Sequence, residues 1–220
     1  FLNTLMVLIA WNLLAAAGIG RHAVAGGGLL AAAGILLGGV LPAPLFYYLY
    51  PPFSGAQTQA FTLLQYLLGP AALIAAIPLV RRWPRPLPWR EPAFLALALS
   101  LMLFAVGGVL GLFVDGTDTR TPAHYHGVIA SVTVAFMGLF FGMFLPILGR
   151  VGGAARWRRS ILHLFAWGQL VACLGLFIAG GHGAPRKVAG AAQGLTDLVP
   201  MIGMAMNGLG GLVAIIGGVL

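Results

Sequence analysis

Two histidines stand two positions apart, His124 and His126, at the start of a long apolar run. In a helix with 3.6 residues per turn, positions i and i+2 point about 200° apart, so the two rings leave opposite faces. A small metal ion held on one helix favours histidines four positions apart instead. Neutral imidazole is a common axial ligand of haem iron. We therefore expect His124 and His126 to ligate the iron of two haems, one on either side of the helix. A site for protons or ions and an interfacial pair without a cofactor are the alternatives.

The composition requires a membrane protein. Of 220 residues, 60% are hydrophobic and 7% are charged, and the mean hydropathy is +0.98, whereas a soluble domain has about 25% charged residues. The apolar runs match the ~20 residues of a transmembrane helix, and 33 glycines suit close helix packing in lipid. The sequence therefore predicts an all-α, polytopic transmembrane helix bundle forming a single membrane domain over 1–220. Lipid and other membrane subunits are its expected surroundings.

Seven apolar segments predict about seven spans. They run over about 1–19, 23–48, 59–80, 92–114, 124–148, 160–180 and 198–220.

The basic residues alternate between the two ends of these spans. The loops after the first, third and fifth spans hold nine of the twelve basic residues, and the opposite loops hold only Arg120, Arg186 and Lys187. Cytoplasmic loops carry the excess of Lys and Arg. This predicts a bacterial-type inner membrane protein with its N-terminus outside and its C-terminus in the cytoplasm. The net charge of +8 is then a matter of topology, and no nucleic-acid partner is expected.

Arg186 and Lys187 are adjacent cations on the outward side, where the charge rule disfavours them. They suit anionic groups at the membrane edge, such as haem propionates, to which cationic side chains donate charge-assisted hydrogen bonds; a chance pair is the alternative. Asp115, Asp118 and Asp197 lie on the same side, where they could pair with these cations and Arg120, hold a hard cation or be solvated.

The residues around the histidine pair resemble a known family. His124-Tyr125-His126, after a loop with Asp and Thr and before Gly127-Val128-Ile129-Ala130-Ser131, resembles the tenth helix of the haem–copper oxidase catalytic subunit (subunit I). Gly183-Ala184-Pro185-Arg186-Lys187 resembles that family's loop before its last helix. The resemblance is specific over 124–187 and weak before it, and it equates the seven spans with the last seven of twelve helices.

The resemblance implies roles for individual residues. His124 would be the axial ligand of the high-spin haem and His126 a ligand of the low-spin haem. Tyr125 would lie on a short electron path between the haems, and Arg186 and Lys187 would face the propionates. The protein would then pass electrons from an outer-face donor, such as cytochrome c, through the low-spin haem to the high-spin haem and on to O2.

Copper is doubtful because the sequence departs from the family pattern. The family binds copper through three histidines of its sixth and seventh helices, yet positions 1–19 and 23–48 contain no histidine. The family's second ligand of the low-spin haem would also lie outside this sequence.

The chain could be part of a longer subunit, one piece of a split subunit, or a divergent relative without copper. The alternative function is a non-catalytic, copper-less anchor or scaffold of a larger redox complex. A solute transporter is disfavoured because no span has a charged residue near its middle.

Overall fold

The computed structural model describes residues 9, 12, 13, 27–81, 86–114 and 116–220. Within this part of the chain the regular structure is helical, and no strand occurs beyond one isolated bridge. The all-α prediction is therefore confirmed. The six longest helices are α1 (Gly27–Val40), α2 (Gly55–Arg81), α3 (Pro92–Gly111), α4 (Arg120–Leu139), α5 (Ala155–Gly181) and α6 (Leu198–Val219).

The described helices are long and apolar enough for a multi-pass membrane protein. Five segments qualify as membrane spans by length and composition: Leu30–Leu49, Pro92–Gly111, Arg120–Ile147, Ala155–Gly181 and Leu198–Val219. Helix α2 has 27 residues, about 40 Å at 1.5 Å per residue, which is also enough to cross a bilayer. The first predicted span, 1–19, lies almost wholly outside the described residues.

The chain divides into two compact units, Phe1–Leu87 and Pro88–Leu220. In the first, α1 packs on α2 around Ala32 and Ala71. The second predicted span breaks after Val40 into a turn, a 3-10 segment (Ala43–Leu45) and a short helix (Phe46–Leu49), because two prolines interrupt its hydrogen-bond ladder.

In the second unit, α3 packs on α4, α4 on α5 and α5 on α6. Small residues allow the closest approaches, as expected for helices in lipid. A Cβ at Gly168 would lie 2.5 Å from the backbone nitrogen of Ala214, and one at Gly210 would lie 2.5 Å from that of Ala172. The backbones of α5 and α6 therefore touch along their length.

Two helices begin earlier than the sequence predicted. Helix α4 starts at Arg120 instead of His124, so the histidine pair lies in its second turn rather than its first. Helix α5 starts at Ala155 instead of position 160. Both differences have the same cause. An apolar run does not include the polar and charged residues of the first turn, although these residues can be helical where the helix end meets water. The start of α3 at Pro92 matches the prediction, since proline favours the first helical position.

Helix α4 changes form near its other end. Phe140–Phe144 is a π-helical segment, followed by a short helix, Leu145–Ile147. Pro146 lacks the N–H that would donate to the carbonyl of Gly142, and its ring crowds that carbonyl. The wider π turn accommodates both effects.

Candidate functional site

His124 is tied to the neighbouring helix by one ring nitrogen. Its Nδ1 lies 2.8 Å from the carbonyl oxygen of Gly107 on α3. A carbonyl only accepts, so Nδ1 must carry the hydrogen and donate it, which leaves the lone pair on Nε2. Among the described residues, Nε2 has no hydrogen-bond partner. This is the state that a metal-ligating histidine adopts, with one nitrogen held by a backbone carbonyl and the other available to the metal.

Glycines on α3 and α4 create the space for this contact. A Cβ added at Gly107 would lie 2.7 Å from the backbone nitrogen of Val128, and one at Gly127 would lie 2.7 Å from the Cα of Gly107. A Cβ at Gly111 would lie 2.7 Å from His124 Nδ1 itself. Sequence reasoning did not single out Gly107 and Gly111. The available signal was the spacing of two glycines, one helical turn apart, on the span that precedes the histidine pair.

His126 faces a different helix. Its exposed side chain lines a groove of about 180 Å³ together with Phe165 and Gln169 of α5 and with Thr133 of its own helix. Neither ring nitrogen bonds to another described residue. His124 points toward α3 and His126 toward α5, as the i, i+2 geometry predicts.

Tyr125 lies between the two histidines on the surface of α4. It is 53% exposed, its ring centroid is 5.5 Å from that of His124, and it also lines the groove of His126. Its side chain therefore borders both histidine environments. An electron path through it stays a prediction.

Two loops at the same end of the second unit are joined by backbone hydrogen bonds. The Thr119 N–H donates to the carbonyl of Ala184 over 3.0 Å, and Asp118 forms a bridge with Pro185. The Thr119 hydroxyl donates to the carbonyl of Leu176 over 2.7 Å. These bonds hold the segment with Arg186 against the start of α4, at the same end of the bundle as the histidine pair.

The Asp118 carboxylate pairs with Arg120, which is one of the alternatives that the sequence left open for it. Arg120 Nη2 lies 2.6 Å from Asp118 Oδ2, Nε donates to Oδ2 over 2.8 Å, and the Arg120 backbone N–H donates to Oδ1 over 2.8 Å. The Asp118 residue is buried, with 8% of its surface exposed. The Asp118 carboxylate thus accepts the first backbone N–H of α4. Asp115 lies outside the described residues.

Arg186 and Lys187 make no ion pair with any carboxylate in the described part of the chain. Lys187 adopts a φ of +64°, a left-handed conformation that non-glycine residues rarely adopt. The Arg186 N–H reaches the carbonyl of Thr117 over 3.5 Å. The loop therefore places two cations without acidic partners beside the start of α4. Their contact with propionates stays a prediction.

The other described histidines have local partners. The Trp167 indole N–H donates to Nδ1 of His163 over 3.1 Å, and Nδ1 of His182 lies 2.9 Å from the carbonyl of Ile178. No group of three His, Cys, Asp or Glu residues converges in the described ranges. The donor set of the pair is therefore one imidazole per site. That donor set fits an axial haem ligand, since the porphyrin supplies the remaining nitrogens.

Known proteins resemble parts of this chain. No protein-family model matches it. Subunit 1 of cytochrome c oxidase from Thermus thermophilus is 31% identical over 147 residues, which are 61% of this chain and 26% of that relative. A second Thermus thermophilus sequence of the same name is 31% identical over 107 residues, 44% of this chain and 99% of that sequence. An uncharacterised protein of Rickettsia prowazekii is 30% identical over 137 residues, 56% of this chain and 26% of that protein.

Proposed function

This chain belongs to the cytochrome c oxidase subunit 1 family as a distant member, and from that premise we propose that it is a haem-binding membrane subunit of an oxidase-like respiratory complex. The chain spans about a quarter of the length of the longer relatives, and we propose that it acts within a larger assembly. We place that assembly in a bacterial-type inner membrane, with the His124 end of α4 on the outer side.

The observation that carries the proposal is the separation of the two imidazoles. His124 is held by the Gly107 carbonyl with Nε2 available, and His126 opens on a groove toward α5. One helix thus offers two single-imidazole sites on different faces. His124 would hold the iron of a high-spin haem and His126 that of a low-spin haem. Bound haem iron would supply one-electron transfer and O2 reduction.

The residues around the pair would orient the cofactors. The hydrogen bond from His124 Nδ1 to the Gly107 carbonyl would fix the ring and raise the basicity of Nε2. Arg186 and Lys187 would donate hydrogen bonds to haem propionates. The propionates would supply the negative charge that the loop of Arg186 and Lys187 lacks. Tyr125 would fill the space beside both rings. An outer-face donor, such as cytochrome c, and further membrane subunits would complete the complex.

A second candidate function is a copper-less anchor of a redox complex. The histidine content favours it: the family's copper site needs three further histidines, and positions 1–19 and 23–48 have none. Copper analysis of the purified complex separates the two functions, since a catalytic oxidase of the usual type would contain one copper beside the His124 haem.

Single-histidine variants test the proposal. His126→Ala is expected to abolish a six-coordinate low-spin haem spectrum, and His124→Ala to abolish CO binding by the reduced protein. His182→Ala is the matched control, because His182 is exposed at the same end of the bundle and bonds only to its own helix. Unchanged spectra for His124→Ala and His126→Ala, in protein that still inserts into the membrane, would refute the assignment.

A further inference from the structure

A second cavity lies toward the other end of the second unit from the histidine pair, and it shares Thr133 with the groove of His126. It has a volume of about 660 Å³ and is lined mainly by aromatic residues of the last part of α4 and its π-helical segment, by Trp157 at the start of α5, and by Gly217 and Gly218 near the end of α6. The volume falls within the range of about 300–1,000 Å³ for ligand pockets. Phe140 is 16 residues beyond His124, about 24 Å along the helix. None of the residues considered for haem ligation lines this cavity.

Basic residues without acidic partners lie close in sequence to Gly152, Gly153 and Trp157, which line this cavity. Arg150, Arg156, Arg158 and Arg159 flank Trp157, and the sequence has no Asp or Glu between positions 119 and 196. In the described part of the chain, none of these arginines forms an ion pair. The positive charge is therefore available to an anion from outside the chain.

Arg158 is the member of the cluster that points to a specific ligand. Its Nε is buried and has no hydrogen-bond partner, and its Nη1 makes only a long contact of 3.5 Å with the carbonyl of Phe141. Phe141 lines the cavity, so the guanidinium lies beside the backbone of a cavity-lining residue. A buried donor left without an acceptor destabilises the folded protein. An oxygen anion beside Arg158 would remove that destabilisation, and a phosphate offers the bidentate geometry that guanidinium groups favour.

We propose that this cavity binds an anionic glycerophospholipid, with one acyl chain against the aromatic wall and the phosphate on Arg158. The site has two parts that match the two parts of such a lipid: an apolar cavity and the Arg158 guanidinium next to the backbone of Phe141. The basic end of the bundle is also the end that faces the anionic leaflet under the positive-inside rule. The proposal does not depend on haem ligation, because neither His124 nor His126 lines the cavity.

Native mass spectrometry of the full chain, purified in detergent, tests the proposal directly. Dioleoyl phosphatidylglycerol and dioleoyl phosphatidylcholine share the same acyl chains and differ in net charge. We expect the phosphatidylglycerol adduct to be at least fivefold more populated at equal lipid concentration. Arg158→Gln should remove this preference and leave the phosphatidylcholine adduct unchanged. Arg156→Gln is the matched control, since Arg156 is exposed and its loss changes the net charge equally.

A second pair of variants tests the acyl-chain half of the site. Gly218→Leu should reduce phosphatidylglycerol binding at least fivefold: a Cβ there makes only ordinary contact, 3.7 Å from Phe165 Cδ2, and the longer side chain fills the cavity. Gly208→Leu, on the same helix but with nothing within 4 Å of the added Cβ, should bind as the wild type does.

Three results would overturn the proposal. Equal binding of the two lipids by the wild type would show that the site does not recognise an anionic headgroup. An equal effect of Arg156→Gln and Arg158→Gln on lipid binding would show that the preference comes from diffuse surface charge and not from Arg158. Displacement of phosphatidylglycerol by a long-chain benzoquinone, with Arg158→Gln having no effect on quinone binding, would assign the cavity to a neutral ligand instead.

Discussion

Replacing Gly107 by alanine tests the contact that positions His124. An added Cβ would lie 2.7 Å from Val128 N and 2.9 Å from the carbonyl carbon of Gly127. Both atoms are backbone, so neither can rotate away. Ordinary van der Waals contact begins at 3.4 Å, which is 0.7 Å more than the 2.7 Å between the added Cβ and Val128 N. Helices α3 and α4 must therefore separate by roughly that difference at their crossing.

A separation of this size acts on the His124 hydrogen bond. The distance from Nδ1 to the Gly107 oxygen is 2.8 Å, and a 0.7 Å displacement along it would give about 3.5 Å, beyond the usual N–H···O range of about 2.7–3.2 Å. Overpacking a tight helix contact costs about 1–3 kcal/mol. We expect Gly107→Ala to lower both the thermal stability of the protein and the fraction of CO-binding haem.

Gly108→Ala is the control for the Gly107 prediction. It makes the same change one residue along the same helix, where an added Cβ meets nothing within 4 Å. Thermal unfolding in detergent and the reduced-plus-CO difference spectrum would be recorded for both variants. Equal stability and equal CO signal in the two variants would refute the role of Gly107 in positioning His124.

Three further substitutions have expected outcomes. Gly111→Ala should weaken the CO-difference signal with little change in stability, because the three atoms nearest the added Cβ all belong to the His124 ring, with Nδ1 at 2.7 Å. An unchanged spectrum would count against ligation by His124. Asp118→Ala should lower the free energy of unfolding by about 1.5–3 kcal/mol, since the variant loses the charged hydrogen bonds from Arg120. Substitution of the exposed Asp197 should change the free energy of unfolding by no more than about 0.5 kcal/mol. Equal losses of stability in a denaturant titration would contradict this. Gly175→Ala should cost about 1–3 kcal/mol, because its Cβ would lie 2.6 Å from the backbone nitrogen of Asn207 on α6. A melting temperature equal to that of the wild type would argue against the close α5–α6 packing.

The fold class could be predicted from composition because the bilayer leaves few choices. Apolar runs of about 20 residues must be helical in lipid, and this decides most of the architecture without any knowledge of packing. The ends of helices were less predictable. Arg120 and Thr121 are polar, so hydropathy alone excluded them from the helix. Their place in α4 depends on Asp118 and on the loop of Ala184, and these contacts form only in the folded chain.

The candidate site could be predicted from the sequence only in part. Helical geometry alone indicates that His124 and His126 leave different faces. Which neighbour each ring meets depends on how α3 and α5 pack, and no local pattern encodes that. The carbonyl of Gly107 is a backbone group that any residue would carry, so its role as the acceptor for His124 could not be read from residue types. The pairing of Asp118 with Arg120, rather than with the cations of the next loop, likewise required the structure.

An optical difference spectrum of the complex purified from its own membrane tests the central claim most directly. Recorded as dithionite-reduced minus oxidised, with and without CO, it counts the haem species and identifies any that binds an external ligand. The proposal that His124 and His126 ligate separate haems predicts two species, one low-spin and unaffected by CO and one that binds CO. A complex that contains this chain in full amount, yet shows no haem absorbance and no CO response, would contradict it.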